Sequence, residues 1–293
     1  MKTTISKYSF ILLLMLASTI VWSACEEDSD TPDQMIDNPA PVDTTPVTLE
    51  YKLVWEDNFD GDALDTTSWS YQIGTGGAYG LDRWGNNELQ YYTDRVENVR
   101  LEDGNLIITA LKEDFNGSEF TSTRIRTKDK ADWTFGRFEI RAKLPKGQGL
   151  WPAIWMLSTD ERFGEWPKSG EIDIMEIVGH EPEKLHGTIH YGPAWPNNKQ
   201  ASGIYTKPSG DFSEEFHVYS IEWKVNEIAW FIDGQQYHKI DKNRISPDPY
   251  PFNEKFHLLL NVAVGGNWPG NPDDTTVFPQ TMEIDYIKVY QLQ

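Results

Sequence analysis

Three carboxylates stand inside one apolar, strand-prone run: Gly170-Glu171-Ile172-Asp173-Ile174-Met175-Glu176-Ile177-Val178-Gly179. No other stretch constrains the chain as tightly. Taking a carboxylate out of water is costly unless something compensates, so a buried strand that keeps three of them keeps them for chemistry. Two nearby carboxyl groups of unequal pKa are the equipment for breaking a glycosidic bond.

The spacing leaves two strand geometries open. In a regular strand, residues two apart share a face. Glu171 and Asp173 then point together, and Glu176, five residues on from Glu171, points away. If one extra residue near Ile174-Met175 forms a β-bulge, Glu176 swings back beside the other two. A helix would set Glu171 and Glu176 about 140° apart, and the Ile and Val content with flanking Gly170 and Gly179 favours a strand.

Residues 149–179 open Gly-Leu-Trp-Pro-Ala-Ile-Trp-Met-Leu and close Glu-Trp-Pro-Lys-Ser-Gly-Glu-Ile-Asp-Ile-Met-Glu-Ile-Val-Gly. This stretch resembles the family 16 glycoside hydrolases, and within them the laminarinase branch with its bulged E-x-D-x-x-E pattern. The lichenase branch carries the shorter E-x-D-x-E. The resemblance spans roughly residues 53–291. It implies an all-β jelly-roll sandwich of two curved antiparallel sheets, with an open concave cleft for substrate, and retaining hydrolysis of a β-glucan. It also implies Glu171 as nucleophile, Glu176 as acid/base and Asp173 as the assisting carboxylate. Such chemistry needs Glu171 ionised to attack and Glu176 protonated to serve the leaving oxygen. Crowding three carboxyls makes full ionisation costly, so at least one pKa should rise.

The rest of the chain agrees with an all-β enzyme on a neutral glycan. Alternating runs at 106–110, 137–144, 217–223, 228–232 and 282–290 read as strands, Asp233-Gly234 reads as a hairpin turn, and short turns are expected near 247–252. Many short strands separated by turns indicate a sandwich. The chain has 12 Trp, 13 Tyr and 13 Phe, and aromatic faces suit sugar rings. A net charge of −20 disfavours nucleic acid and anionic membrane surfaces as partners.

Lys2 and Lys7 precede an apolar run, residues 10–22, and then Ser23-Ala24-Cys25. This reads as a signal peptide over 1–24, with Cys25, the only cysteine, as a lipidation site of a bacterial lipoprotein. Glu26-Glu27-Asp28-Ser29-Asp30 follows, and similar clusters mark lipoproteins displayed on the outer membrane's surface. Residues 25–48 contain seven acids, four prolines and no Lys or Arg. That composition reads as a tether, leaving 49–293 as the catalytic domain of a tethered monomer.

Around the acids, Trp151 and Trp155 lie at even spacing on one strand face, with core packing the alternative for Trp155. The resemblance implies that Trp151, Trp155, Trp166 and Trp268 line the subsites, with Gly265 and Gly266 allowing close approach of a sugar. It places His190 beside the catalytic strand, and Asn87, Glu88 and Arg124 at the non-reducing-end subsites, with Arg126, two residues on, as the alternative to Arg124. Loops over 74–87, 159–168 and 193–203 are candidate cleft walls. No cofactor is expected for catalysis. A structural Ca²⁺ on the convex side is implied at Asn58, Gly104 and Asp285, although the family's Asp-Glu-Phe is here Asp57-Asn58-Phe59. The leading function is endo-hydrolysis of β-1,3-glucan of laminarin type, with mixed β-1,3/1,4-glucan as a further substrate. Another branch of the family (an agarase or a transglycosylase) and a non-catalytic glycan-binding surface protein are the alternatives.

Overall fold

The computed structural model describes residues 49–293. The expected signal peptide, Cys25 and the acidic tether lie outside the described residues.

Alternation of apolar and polar residues gives each strand one inward face, and two such faces meet. The larger sheet has ten strands. Its main path runs Gln235–Asp241, Glu227–Ile232, His217–Lys224, Gly136–Lys143, Gln280–Leu292, Asn105–Phe115, Ser118–Ser122, Gln90–Tyr92; Tyr51–Asp57 pairs with Gln280–Leu292, and Val99–Glu102 with Asn105–Phe115. The smaller sheet has seven strands, ordered Lys199–Thr206, Lys184–Tyr191, Glu171–Glu176, Leu150–Ser158, Phe256–Val264, Arg124–Arg126, Ser70–Tyr71. Its named pairs are all antiparallel. The result is the two-sheet jelly-roll sandwich that the sequence implies.

Between the sheets lies a dense core that includes Trp69, Trp223, Trp230, Phe138, Phe256, Ile172, Ile174 and Met175, each at 0–1 % exposure. Such close packing lets one sheet fix the backbone of the other. Trp230, from the larger sheet, donates its indole N–H to the backbone carbonyl of Asp173 at 2.8 Å. The catalytic strand is thereby tied down at the point where its register breaks.

Several sequence expectations shift. The loop expected at 193–203 is shorter, because Lys199–Thr206 is an edge strand of the smaller sheet. The short helix is Lys242–Ile245, capped by Asp241 Oδ1 accepting from the Asn243 and Arg244 amides, and it precedes the expected 247–252 segment. Residues 74–87 hold two 3₁₀ turns, Gly77–Tyr79 and Asp82–Gly85. Asp233 and Gly234 have φ of 48° and 80°, as a two-residue hairpin turn requires.

Candidate active site

The strand Glu171–Glu176 is bulged. Against Leu150–Ser158, Asp173 pairs with Trp155 and Met175 with Ile154, so one residue, Ile174, is extra. On the other side Asp173 opposes Thr188 and Glu176 opposes His186, three residues of chain against two. Ile172, Ile174, Met175 and Ile177 all go to the core, while Glu171, Asp173 and Glu176 share the other face. Register then assigns that face across the sheet: His190 opposite Glu171, His186 opposite Glu176, and Trp155 opposite Asp173. Gly170 enters the strand at φ 86°, where a Cβ would stand 2.8 Å from the Phe252 ring and 2.9 Å from Pro251. Only glycine turns the chain into the cleft that tightly.

Each glutamate has its own indole donor. Trp166 Nε1 donates to Glu171 Oε2 at 2.8 Å, and Trp151 Nε1 donates to Glu176 Oε1 at 2.9 Å. His190 Nε2 lies 3.4 Å from Asp173 Oδ2 and 3.7 Å from Glu171 Oε1. These are charge contacts rather than close hydrogen bonds, and Asp173 Oδ2 has no hydrogen-bond partner.

Burial, then repulsion from Asp173, pushes the Glu171 carboxyl up to about 8; His190, the Trp166 N–H and Arg124 pull the other way. Glu176 is raised well above its usual range by burial, by Asp173 and by Glu171, with His190 and the Trp151 N–H opposing. Burial alone would discharge His190, but the surrounding carboxylates win and hold it up to about 10. The difference between the glutamates is cationic company. Glu171 has Arg124 in addition to His190, so Glu171 is the better placed to ionise and Glu176 to keep its proton.

Arg124 and Arg126 alternate with the core residue Ile125, so both face the cleft, but their surroundings differ. Arg124 is buried, donates Nε–H to Gln72 Oε1 at 2.6 Å, and lies 4.5 Å from the Trp84 ring centroid and 4.7 Å from that of Trp155. Trp155 faces the cleft and donates to Asn261 Oδ1 at 2.8 Å. Trp268, 40 % exposed, stands edge-on to Trp151 and to His186, and Trp166 is 42 % exposed. Asn87 is exposed, at φ 59°, and donates to Asn267 Oδ1 at 2.8 Å. Glu88 is buried, with its oxygens taken up by Gln90, Tyr92 and Asn86, so it braces the wall of the cleft. At Gly265 the close neighbour is the Leu89 side chain, 2.5 Å from where a Cβ would stand.

Sequence reasoning missed Trp84, Asn261 and Trp230. Asn261 carried a signal: with His257 it is one of two polar residues in the otherwise apolar Phe-His-Leu-Leu-Leu-Asn-Val-Ala-Val. Trp84 sits at φ 54° inside a 3₁₀ turn, and nothing in its spacing announces that.

For the implied cation site, topology gathers the three residues. Asp57 pairs with Ile287 and Leu106 with Ile284, which brings Asn58, Gly104 and Asp285 to one region of the larger sheet. The Asp285 carboxylate is turned to Arg141, so a cation there competes with the guanidinium.

The family model of glycosyl hydrolases family 16 matches residues 84–288. The chain belongs to glycosyl hydrolase family 16. This family 16 chain is 45 % identical over 254 residues to a β-glucanase of Rhodothermus marinus, covering 82 % of this chain and 85 % of that protein. It is 41 % identical to a glucan endo-1,3-β-glucosidase of Cryptopygus antarcticus, covering 80 % and 90 %. The laminarinase catalytic domain of Thermotoga maritima superposes with a TM-score of 0.77 at 45 % identity, covering 83 % of this chain and 98 % of that one. As a family 16 member the protein is a glycoside hydrolase.

Proposed function

We propose that this protein is a retaining endo-β-1,3-glucanase that cleaves laminarin-type glucan, and mixed β-1,3/1,4-glucan as a further substrate. The observation that carries this is the bulge at Ile174, which sets Glu171, Asp173 and Glu176 on one cleft face with a separate indole donor for each glutamate. The named activities of the similar proteins support the β-1,3 linkage.

Glu176 gives its proton to the glycosidic oxygen as Glu171 attacks the anomeric carbon. The C–O bond to the leaving sugar breaks and an ester to Glu171 forms. Esterification removes the Glu171 charge, so one of the two acids that repel Glu176 is gone and its pKa falls. Glu176 then takes a proton from water, whose oxygen attacks the same carbon and frees Glu171. Asp173 and protonated His190 hold the charge balance around the nucleophile, and no step calls for a cofactor.

The test is product analysis on laminarin, barley glucan and agarose, with NMR of the first-formed anomer. Internal cleavage of laminarin with β-anomer product, abolished in Glu171→Ser while oligosaccharide binding persists, is expected. Cleavage of agarose alone refutes the assignment.

The same reading includes attachment and assembly. Lys2, Lys7, the apolar run and the small residues before Cys25 support export and lipidation of Cys25. The acidic cluster after Cys25 supports display at the outer membrane's surface, where a tethered monomer reaches a bulky glucan. Cys25→Ala should release the enzyme from the membrane fraction. A structural Ca²⁺ at Asn58, Gly104 and Asp285 belongs to the reading as well; a lower melting temperature in EDTA, restored by Ca²⁺, would support it.

A further inference from the structure

Asp173 Oδ2 is buried, unpartnered and aimed at a histidine nitrogen that is too far away for a good hydrogen bond. Among the described residues, Glu171, Asp173 and His190 are the one grouping of three His, Cys, Asp or Glu side chains whose ligand atoms lie within 4.8 Å of one another. Their separations matter. Metal–ligand bonds of about 2.0–2.2 Å set the vertices of a tetrahedron about 3.3–3.6 Å apart. His190 Nε2 is 3.4 Å from Asp173 Oδ2 and 3.7 Å from Glu171 Oε1. Those distances are long for N–H···O contacts; the first falls inside the range for a tetrahedral edge and the second lies just above it.

We propose that Glu171, Asp173 and His190 form a site for one divalent first-row transition ion, of the Cu²⁺ or Zn²⁺ class, whose occupancy excludes glucan. One imidazole, once the ion has displaced its Nε2 proton, and two carboxylates are a donor set for such ions. Ca²⁺ is disfavoured, because it takes six to eight oxygens. A solvent molecule completes the fourth position from the cleft, where the Glu171 side chain is 15 % exposed and that of His190 is 19 % exposed. His190 Nδ1 has no hydrogen-bond partner, so the ring lacks the second-shell acceptor that fixes metal-ligating histidines. The ion is therefore held reversibly, as an inhibitor rather than as a structural part. Exclusion of glucan rests on the function proposed above; ion binding does not.

The test is equilibrium dialysis of the full chain against Cu²⁺ or Zn²⁺, with electron paramagnetic resonance of the Cu²⁺ form. The wild type should take up one equivalent more than His190→Gln or Asp173→Asn, with coupling to a single nitrogen in the spectrum. Affinity at this site should fall at least ~100-fold in His190→Gln and stay within ~3-fold in His186→Gln. Laminarioligosaccharide should displace the ion from the wild type. Equal uptake by wild type and His190→Gln, with both folded by circular dichroism, overturns the site. If a variant does not fold, a wild-type Cu²⁺ spectrum without nitrogen coupling overturns it instead. Stoichiometric binding that oligosaccharide leaves untouched overturns the exclusion. Uptake lost in His190→Gln, in a protein that cuts no glucan, leaves the ion site standing and removes the glucanase reading.

Discussion

Deleting Ile174 should leave the catalytic acids aligned. In the bulged strand, Asp173 faces Trp155 and Met175 faces the next residue, Ile154, so Ile174 has no place of its own in that ladder. Removing it gives Glu-Ile-Asp-Met-Glu, a regular alternation in which all three acids share a face. Met175 keeps Ile154, and Glu176 keeps Ala153 and His186, because Thr188 and His186 are already two residues apart. The stability cost is that of a lost core side chain. Ile174 is 1 % exposed, and emptying such a site costs about 2–5 kcal/mol, which in a domain of this size lowers the melting temperature by roughly 4–20 °C. Activity should fall by about 10–100-fold, the scale of a misplacement of roughly 1 Å, and remain far above that of Glu171→Ser. Reducing-end release from laminarin and a thermal melt measure the two effects, with Ile174→Ala isolating the side-chain cost. A folded deletion variant no more active than Glu171→Ser would refute the reasoning.

Glu171, raised from 4.5 to about 8, binds more protons folded than unfolded between those values. Stability should therefore fall as pH rises from about 4.5 to 8, and the melting temperature of Glu171→Gln should increasingly exceed that of wild type across that window. Trp151→Phe removes the N–H that lowers the Glu176 pKa, so the alkaline limb of the kcat/KM profile should move to higher pH; a shift to lower pH contradicts the assignment of Glu176 as the acid. Arg124→Met strips a buried cation from between Trp84 and Trp155 and leaves buried Glu88 without it, which should cost about 3–5 kcal/mol in denaturant unfolding, whereas Arg126→Ala should cost under about 1 kcal/mol.

Strands with clean alternation were legible because one face of each packs on the core. The segment Phe256–Val264 was harder, since every residue in it is buried and its apolar residues follow no period. Lys199–Thr206 went unread for the opposite reason. It lies at the sheet edge, its outer residues are exposed, and Gly203 interrupts it. The acids were legible as a cluster, yet their shared face was not. Odd spacing admits both a flat strand and a bulge, and the deciding contact, the Trp230 N–H on the Asp173 carbonyl, comes from 57 residues away on the other sheet. Arg124 and Arg126 could not be separated by parity, because both face the cleft; only the aromatic walls and Gln72, supplied by distant segments, single out Arg124.

That distant origin explains how three similar side chains a few residues apart come to have different jobs. Chain position gives both glutamates burial and repulsion from Asp173, which on their own would raise the two carboxyls alike. What separates the two glutamates arrives from elsewhere. Arg124, on the far side of the Leu150–Ser158 and Phe256–Val264 strands, favours charge on Glu171 and is not among the main influences on Glu176. His190 serves the whole cluster and so cannot distinguish its members. Moving the cation should therefore move the roles. Arg124→Met should raise the acid limb of kcat/KM, which reports ionisation of the nucleophile, while leaving the alkaline limb set by Glu176 in place. Equal displacement of both limbs would mean that the sheet does not discriminate between the two carboxyls.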